Sequence, residues 1–290
     1  MPRTPGAGGG PVLIVLDGGL ATELQARGHD LSGGLWSARL LSEAPGEIAA
    51  VHEAFFRAGA GIATTASYQG SLAAFAERGL DGPMLLRRSV ELAKRARDRV
   101  GGARRVAASI GPYGAALADG SEYRGRYGLS VAALTAFHRP RAGILAEAGP
   151  DLLALETVPD VDEAVAMLAA IDGLGIPAWL SYTIDGERTR AGQPLEEAFA
   201  VAAGQEQVIA VGVNCCDPRH VPRALEVARE VSGKPVIAYP NSGERWDPVR
   251  GAWTGPSRFR PESLCGADFA GGCCRVRPAD IAALAAACRG

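Results

Sequence analysis

Short apolar runs alternate along this chain with longer stretches whose apolar positions recur every three or four residues. The runs at 12–16, 62–65, 105–110, 151–156, 178–183, 207–213 and 235–239 are rich in Val, Ile, Leu and Ala. That is the pattern of strands covered on both faces. Between them the longer period predicts helices over 45–59, 83–100, 160–171, 194–204, 218–231 and 278–288. The first of these carries Ile48, Val51, Phe55 and Phe56 on one side. A helical stretch over 130–148 contains Pro140, which predicts a kink or a split there. A last strand belongs at 267–270, although Asp268 and the preceding Cys265-Gly266 give that region little strand character. No helix is legible in the long connection from Asn241 to it.

Strands alternating with helices imply a parallel sheet, and eight such units imply a closed (β/α)8 TIM barrel. It is expected to be one domain over 12–290, with residues 1–11 as a disordered Pro/Gly-rich leader. The polar residues support closure. Asp17, Thr64, Thr65, Ser109, Glu156, Tyr182, Thr183, Asn214, Cys215, Asn241, Cys273 and Cys274 all fall at or just past a strand's end. In a barrel those ends share one rim, where such folds keep their chemistry. An open doubly wound sheet is the runner-up, and it would leave the first and last strands apart.

Composition narrows the partners. The 290 residues are 47% hydrophobic and 21% charged, with a net charge of -2. That balance fits a globular protein whose main partner is neither nucleic acid nor an anionic membrane. No apolar run approaches the ~20 residues of a membrane span. The six cysteines, Cys215, Cys216, Cys265, Cys273, Cys274 and Cys288, all lie in the last third of the chain. A disulfide framework would be spread through a much smaller protein. The expectation is therefore a reducing cytoplasm with the thiols free or metal-bound, and a monomer or small homo-oligomer.

Two cysteine stretches carry the chemistry. Gly271-Gly272-Cys273-Cys274-Arg275 places paired glycines ahead of paired cysteines, and Gly212-Val213-Asn214-Cys215-Cys216 ends an earlier strand. Consecutive side chains of an extended segment point apart, so Cys273 and Cys274 meet one atom only if the backbone turns, which glycine permits. With Cys215 they make three sulfur ligands for zinc, leaving the fourth position to a substrate. Cys216 alternates away and reads as packing. Cys265 and Cys288 have no partner spacing and read as ordinary buried thiols. The histidines, His29, His52, His138 and His220, have no ligand spacing.

An all-thiolate zinc favours a thiol substrate, because a coordinated thiol is held deprotonated. Attack on a methyl sulfonium cation would then neutralise charge, which a low-dielectric pocket favours. Asp17-Gly18-Gly19 reads either as a tight turn or as a cradle, with the glycine N–H groups on a carboxylate and Asp17 on an ammonium. Glu156 directly follows an apolar strand and needs a partner there, and an α-ammonium is a natural one. Together they suggest an amino-acid thiol. Thr65, Ser67 and Tyr68 are candidates for substrate contact or loop packing, and Asn214 for orienting substrate or the metal shell. Tyr113, Tyr123, Tyr127 and Trp246 are candidates for a cation–π pocket or for loop anchors.

These residues resemble a known family. Leu16-Asp17-Gly18-Gly19-Leu20-Ala21-Thr22-Glu23-Leu24, Ala66-Ser67-Tyr68-Gln69, Leu155-Glu156-Thr157 and the two cysteine motifs are similar to those of homocysteine S-methyltransferases. Ser109-Ile110-Gly111-Pro112-Tyr113-Gly114 and Tyr239-Pro240-Asn241-Ser242-Gly243-Glu244 agree. The resemblance implies a (β/α)8 barrel with zinc on Cys215, Cys273 and Cys274, and homocysteine near Asp17, Gly18, Gly19 and Glu156. The short form resembles the branch that uses S-methylmethionine, with S-adenosylmethionine as a second donor. The product would be methionine. The alternatives are a non-catalytic zinc- or thiol-binding barrel with a degenerate site, and a metal-free cysteine nucleophile.

Overall fold

The computed structural model describes residues 13–31, 35–247 and 252–288. The leader expected over residues 1–11 lies outside them. Eight parallel strands form one sheet: β1 Ile14–Val15, β2 Ile62–Thr64, β3 Arg105–Ile110, β4 Leu152–Val158, β5 Ala178–Tyr182, β6 Val208–Asn214, β7 Val236–Tyr239 and β8 Phe269–Ala270. Each strand pairs with the next in sequence from β2 to β8, and β8 pairs with β1. The sheet closes where Leu16 bridges Ile62, with Gly61 N–H donating to Val15 (2.7 Å) and Asp17 N–H to Ile62 (3.0 Å). The fold is the (β/α)8 barrel, and the open-sheet alternative falls away.

Because side chains alternate along each strand, the sheet feeds two cores. Inward-facing Leu16, Ala107, Ala154, Trp179, Ile237 and Phe269 fill the barrel, small residues making room for large ones. The outward faces pack beneath the helices in a second, larger core. Cys216 belongs to that outer core, in line with its expected packing role.

Two features depart from expectation. Two helices, Leu20–Ala26 and Trp36–Glu43, lie between β1 and the helix Pro45–Arg57. The helix Val131–Glu147 runs through Pro140 without a break. It is fixed ahead of the proline by the Ser130 cap (3.2 Å to Ala133 N–H) and by buried His138, 3.0 Å from Glu163, and beyond it by buried Arg141, whose guanidinium donates to the Gly111 carbonyl. In keeping with the sequence, the seventh crossover shows no α-helix among the described residues. A hairpin, Arg245–Asp247 with Ala252–Thr254, and a 3-10 turn, Pro261–Leu264, take its place.

The cysteine expectation also needs correction. Cys265 and Cys288 are joined in a disulfide. The last helix, Pro278–Ala287, packs against the Pro261–Leu264 turn and brings its end beside Cys265. No sequence spacing reveals that return. The other four cysteines are free.

The seam at β8 is short yet paired on both sides, Phe269 with Ile237 and Ile14, and Ala270 with Ala238 and Val15. Its glycines serve close approach rather than an unusual turn. The positive φ of the segment belongs to Arg275, at 69°, while a Cβ on Gly271 would stand 2.6 Å from the backbone oxygen of Asp17. Gly271→Ala is therefore expected to cost about 2–3 kcal/mol of stability, read as a lower melting temperature with weaker metal retention.

Candidate metal centre and substrate pocket

The strand ends bring three distant sulfurs to one place. Cys215 directly follows β6 in a left-handed conformation (φ 50°), and its N–H donates to the carbonyl of Tyr239 in β7 (3.2 Å). Past β8, Gly272 N–H donates to Asp17 (3.0 Å) and Cys273 N–H to Pro240 (2.8 Å). Cys274 N–H donates to the side-chain oxygen of Asn241 (3.1 Å). These bonds fix the turn that lets both neighbouring cysteines face one point. The sulfurs of Cys215, Cys273 and Cys274 all lie within 4.8 Å of one another, and those of Cys215 and Cys274 are 3.8 Å apart. A tetrahedral ion with sulfur ligands at about 2.3 Å sets its ligands about 3.8 Å apart, so the trio fits a single metal ion. Hydrogen bonds from Cys215 and Cys273 hold the Cys274 thiol well below its ordinary range. The same contacts push the Cys273 thiol up, so the negative charge of the trio settles on Cys274.

Those sulfurs edge a cavity of about 130 Å³. All the substrate candidates line it: Asp17, Gly18, Gly19, Thr65, Tyr68, Glu156 and Asn214. Asp17 is buried beyond β1 and takes hydrogen bonds from Thr64 N–H (2.8 Å) and Thr64 Oγ1 (3.1 Å). Burial, reinforced by Glu156, holds its carboxyl well above the usual range against those bonds. Glu156 accepts from Ser109 Oγ and from the Tyr239 hydroxyl, and burial pushes it up to about 7. Two buried carboxyls sharing a pocket, with no cationic side chain among its described lining residues, are poised for a cationic ligand.

Other candidates have narrower parts. Gly19 N–H donates to Val276 (2.9 Å) and so is not offered to a ligand; a Cβ there would lie 2.5 Å from the Cys273 oxygen. Thr65 bonds Ser67 (2.7 Å) and Ser109 N–H (3.0 Å), tying the β2 and β3 ends together. Tyr68 lies against Gly111 and its hydroxyl meets Thr157. Asn214 is engaged through both ends of its amide: Oδ1 accepts from Thr157 N–H (2.7 Å) and Ser181 Oγ (2.9 Å), and Nδ2 donates to Thr157 Oγ1 (2.7 Å). That grip holds Thr157, a β-branched residue at φ 59°, in a region it would otherwise avoid. Asn214 therefore orients the rim between Glu156 and Cys215.

Of the four aromatic candidates, Tyr123 reaches the site, with its hydroxyl 3.2 Å from Cys215 Sγ. Arg190 stands 5.9 Å from its ring centroid, so that ring already has a cation partner. Tyr113 packs on Tyr127 (5.2 Å) and Phe137 (4.9 Å) as a loop anchor. The side chain of Trp246 lies outside the described residues. Sequence reasoning missed Tyr239 and Ser181, joined at 2.6 Å beneath Glu156 and Asn214, because both read as ordinary strand residues.

Comparison with known proteins adds a separate line. Residues 14–288 match the family model described as homocysteine S-methyltransferase. The chain belongs to the homocysteine S-methyltransferase family. It is 45% identical over 293 residues to the homocysteine S-methyltransferase of Escherichia coli, covering 94% of each chain. It is 41% identical to the selenocysteine Se-methyltransferase of Brassica oleracea, over 93% of this chain and 87% of that one. Among solved structures it resembles the metallated form of the E. coli homocysteine methyltransferase MmuM, with a TM-score of 0.83 at 44% identity, covering 94% and 96% of the two chains.

Proposed function

We propose that this protein is a zinc-dependent homocysteine S-methyltransferase that takes a methyl group from a sulfonium donor, S-methylmethionine foremost and S-adenosylmethionine second. The carrying observation is the convergence of Cys215, Cys273 and Cys274 within 4.8 Å on the edge of a cavity that also holds Asp17 and Glu156. A soft, all-sulfur donor set suits zinc. Bound there, zinc would keep the incoming homocysteine thiol deprotonated at neutral pH. Asp17 and Glu156 hold the homocysteine ammonium, and the Asn214–Thr157 pair keeps Glu156 in register with Cys215.

The thiolate attacks the sulfonium methyl, the old carbon–sulfur bond breaks, and its electron pair stays on the departing thioether. With S-methylmethionine both products are methionine. Among the described lining residues no Lys, Arg or His faces the cavity, which supports a cationic donor. A reducing cytoplasm suits sulfurs that work as thiolates, and among the described residues no helix is long and apolar enough to cross a membrane.

The test is a donor comparison with homocysteine as acceptor, following methionine by mass spectrometry beside zinc analysis. Methyl transfer from a sulfonium with about one zinc per chain is expected. Zinc without transfer from any donor would replace this reading with that of a binding protein, and transfer that survives full chelation would remove the metal from it.

A further inference from the structure

The chemistry proposed above needs two amino acids in the cavity at once, and each brings a carboxylate. No cationic side chain among the described lining residues can receive either one. With no side-chain cation to offer, the groups that take a substrate carboxylate there must be neutral N–H or O–H donors. Most lining polar groups are engaged. Asn214 is held by Thr157 and Ser181, Thr64 by Asp17, Thr65 by Ser67, and Thr22 accepts from Arg275 N–H (2.9 Å).

Gln69 is different. It is 3% exposed, it lines the cavity, and neither its Oε1 nor its Nε2 has a hydrogen-bond partner among the described residues. A buried amide left unpaired at both ends is costly, and such a group asks for a partner the protein itself does not supply.

We propose that Gln69 recognises the α-amino-acid end of the methyl donor, its N–H2 donating to the donor's carboxylate and its C=O accepting from the donor's ammonium. This rests on the methyl-transfer reading. Homocysteine is already fixed by its thiol at the cysteines and its ammonium at Asp17 and Glu156. Gln69 belongs to neither of those contacts, and lies on the loop leaving β2, past that strand's last residue, Thr64. An amide offers donor and acceptor together, which matches a zwitterion. Being neutral, it does not repel the sulfonium as Lys or Arg would. The amino-acid end is common to S-methylmethionine and S-adenosylmethionine, so the inference concerns that shared chemistry.

The experiment uses the zinc-loaded enzyme, with Gln69→Leu and the size-conserving Gln69→Glu, each checked for folding by its melting temperature. For either variant the KM for S-methylmethionine is expected to rise about tenfold to a hundredfold. The KM for homocysteine and the zinc content should stay within twofold. Trimethylsulfonium, which has no amino-acid end, is expected to serve wild type and the neutral Gln69→Leu variant equally, scored as a substrate or by its inhibition constant. A rise in the homocysteine KM instead, or equal losses with both sulfoniums, would overturn the assignment while leaving the methyl-transfer reading intact. Absence of transfer from every sulfonium by the unsubstituted enzyme would overturn both.

Discussion

A Cys274→Ala enzyme is expected to lose its metal and at least a thousandfold of its methyl-transfer rate, on the order of 4 kcal/mol. The size follows from geometry. Cys274 is the sulfur that accepts from both of the other thiols, so it carries the negative charge that first attracts a cation. Its removal leaves two sulfurs, too few to hold an ion and still present a position to a substrate. Metal analysis and methionine formation check it together. The informative control is Cys216→Ala, one residue from a ligand but buried in the outer core. That variant should be less stable yet keep its metal. A Cys274→Ala protein with full metal and full rate would refute the site.

Glu156→Gln should raise the KM for homocysteine about a hundredfold, roughly 3 kcal/mol, while metal content stays unchanged. The substitution keeps the shape and the contact to Ser109 but removes the charge facing an ammonium. Its pH dependence carries a sign. Burial raises the Glu156 carboxyl to about 7 in the empty pocket, so below that pH the free enzyme holds a proton where the ammonium must sit. Homocysteine capture, kcat/KM, should therefore fall as the pH drops below about 7 in the parent enzyme. In the Gln variant that acid limb should flatten. A variant with an unchanged homocysteine KM would move the ammonium site away from Glu156.

How much of this was legible in the sequence depended on how local each signal was. The strands from 62–65 to 235–239 announce themselves because a strand covered on both faces must be apolar throughout, and Arg105–Ile110 was placed residue for residue. The final strand was nearly invisible, since Phe269–Ala270 derives its pairing from two neighbours rather than from its own composition. The short helices Leu20–Ala26 and Trp36–Glu43 are held by the barrel's packing and have too little length to show a period. In the site, the doubled cysteines behind doubled glycines could be read directly. The Asn214–Thr157 grip could not, because a β-branched residue at a positive φ is dictated by partners 57 positions away in the chain.

The Cys265–Cys288 bridge has a practical corollary for handling the protein. Of six sulfurs, four are thiols and two are already oxidised. A purification buffer rich in dithiol, chosen to protect the first group, would cut the second and untie the C-terminal helix from the turn before β8. Omitting it would expose the ligand sulfurs to air. A weak, non-chelating reductant used after metal loading answers both needs, since ligation itself shields the trio.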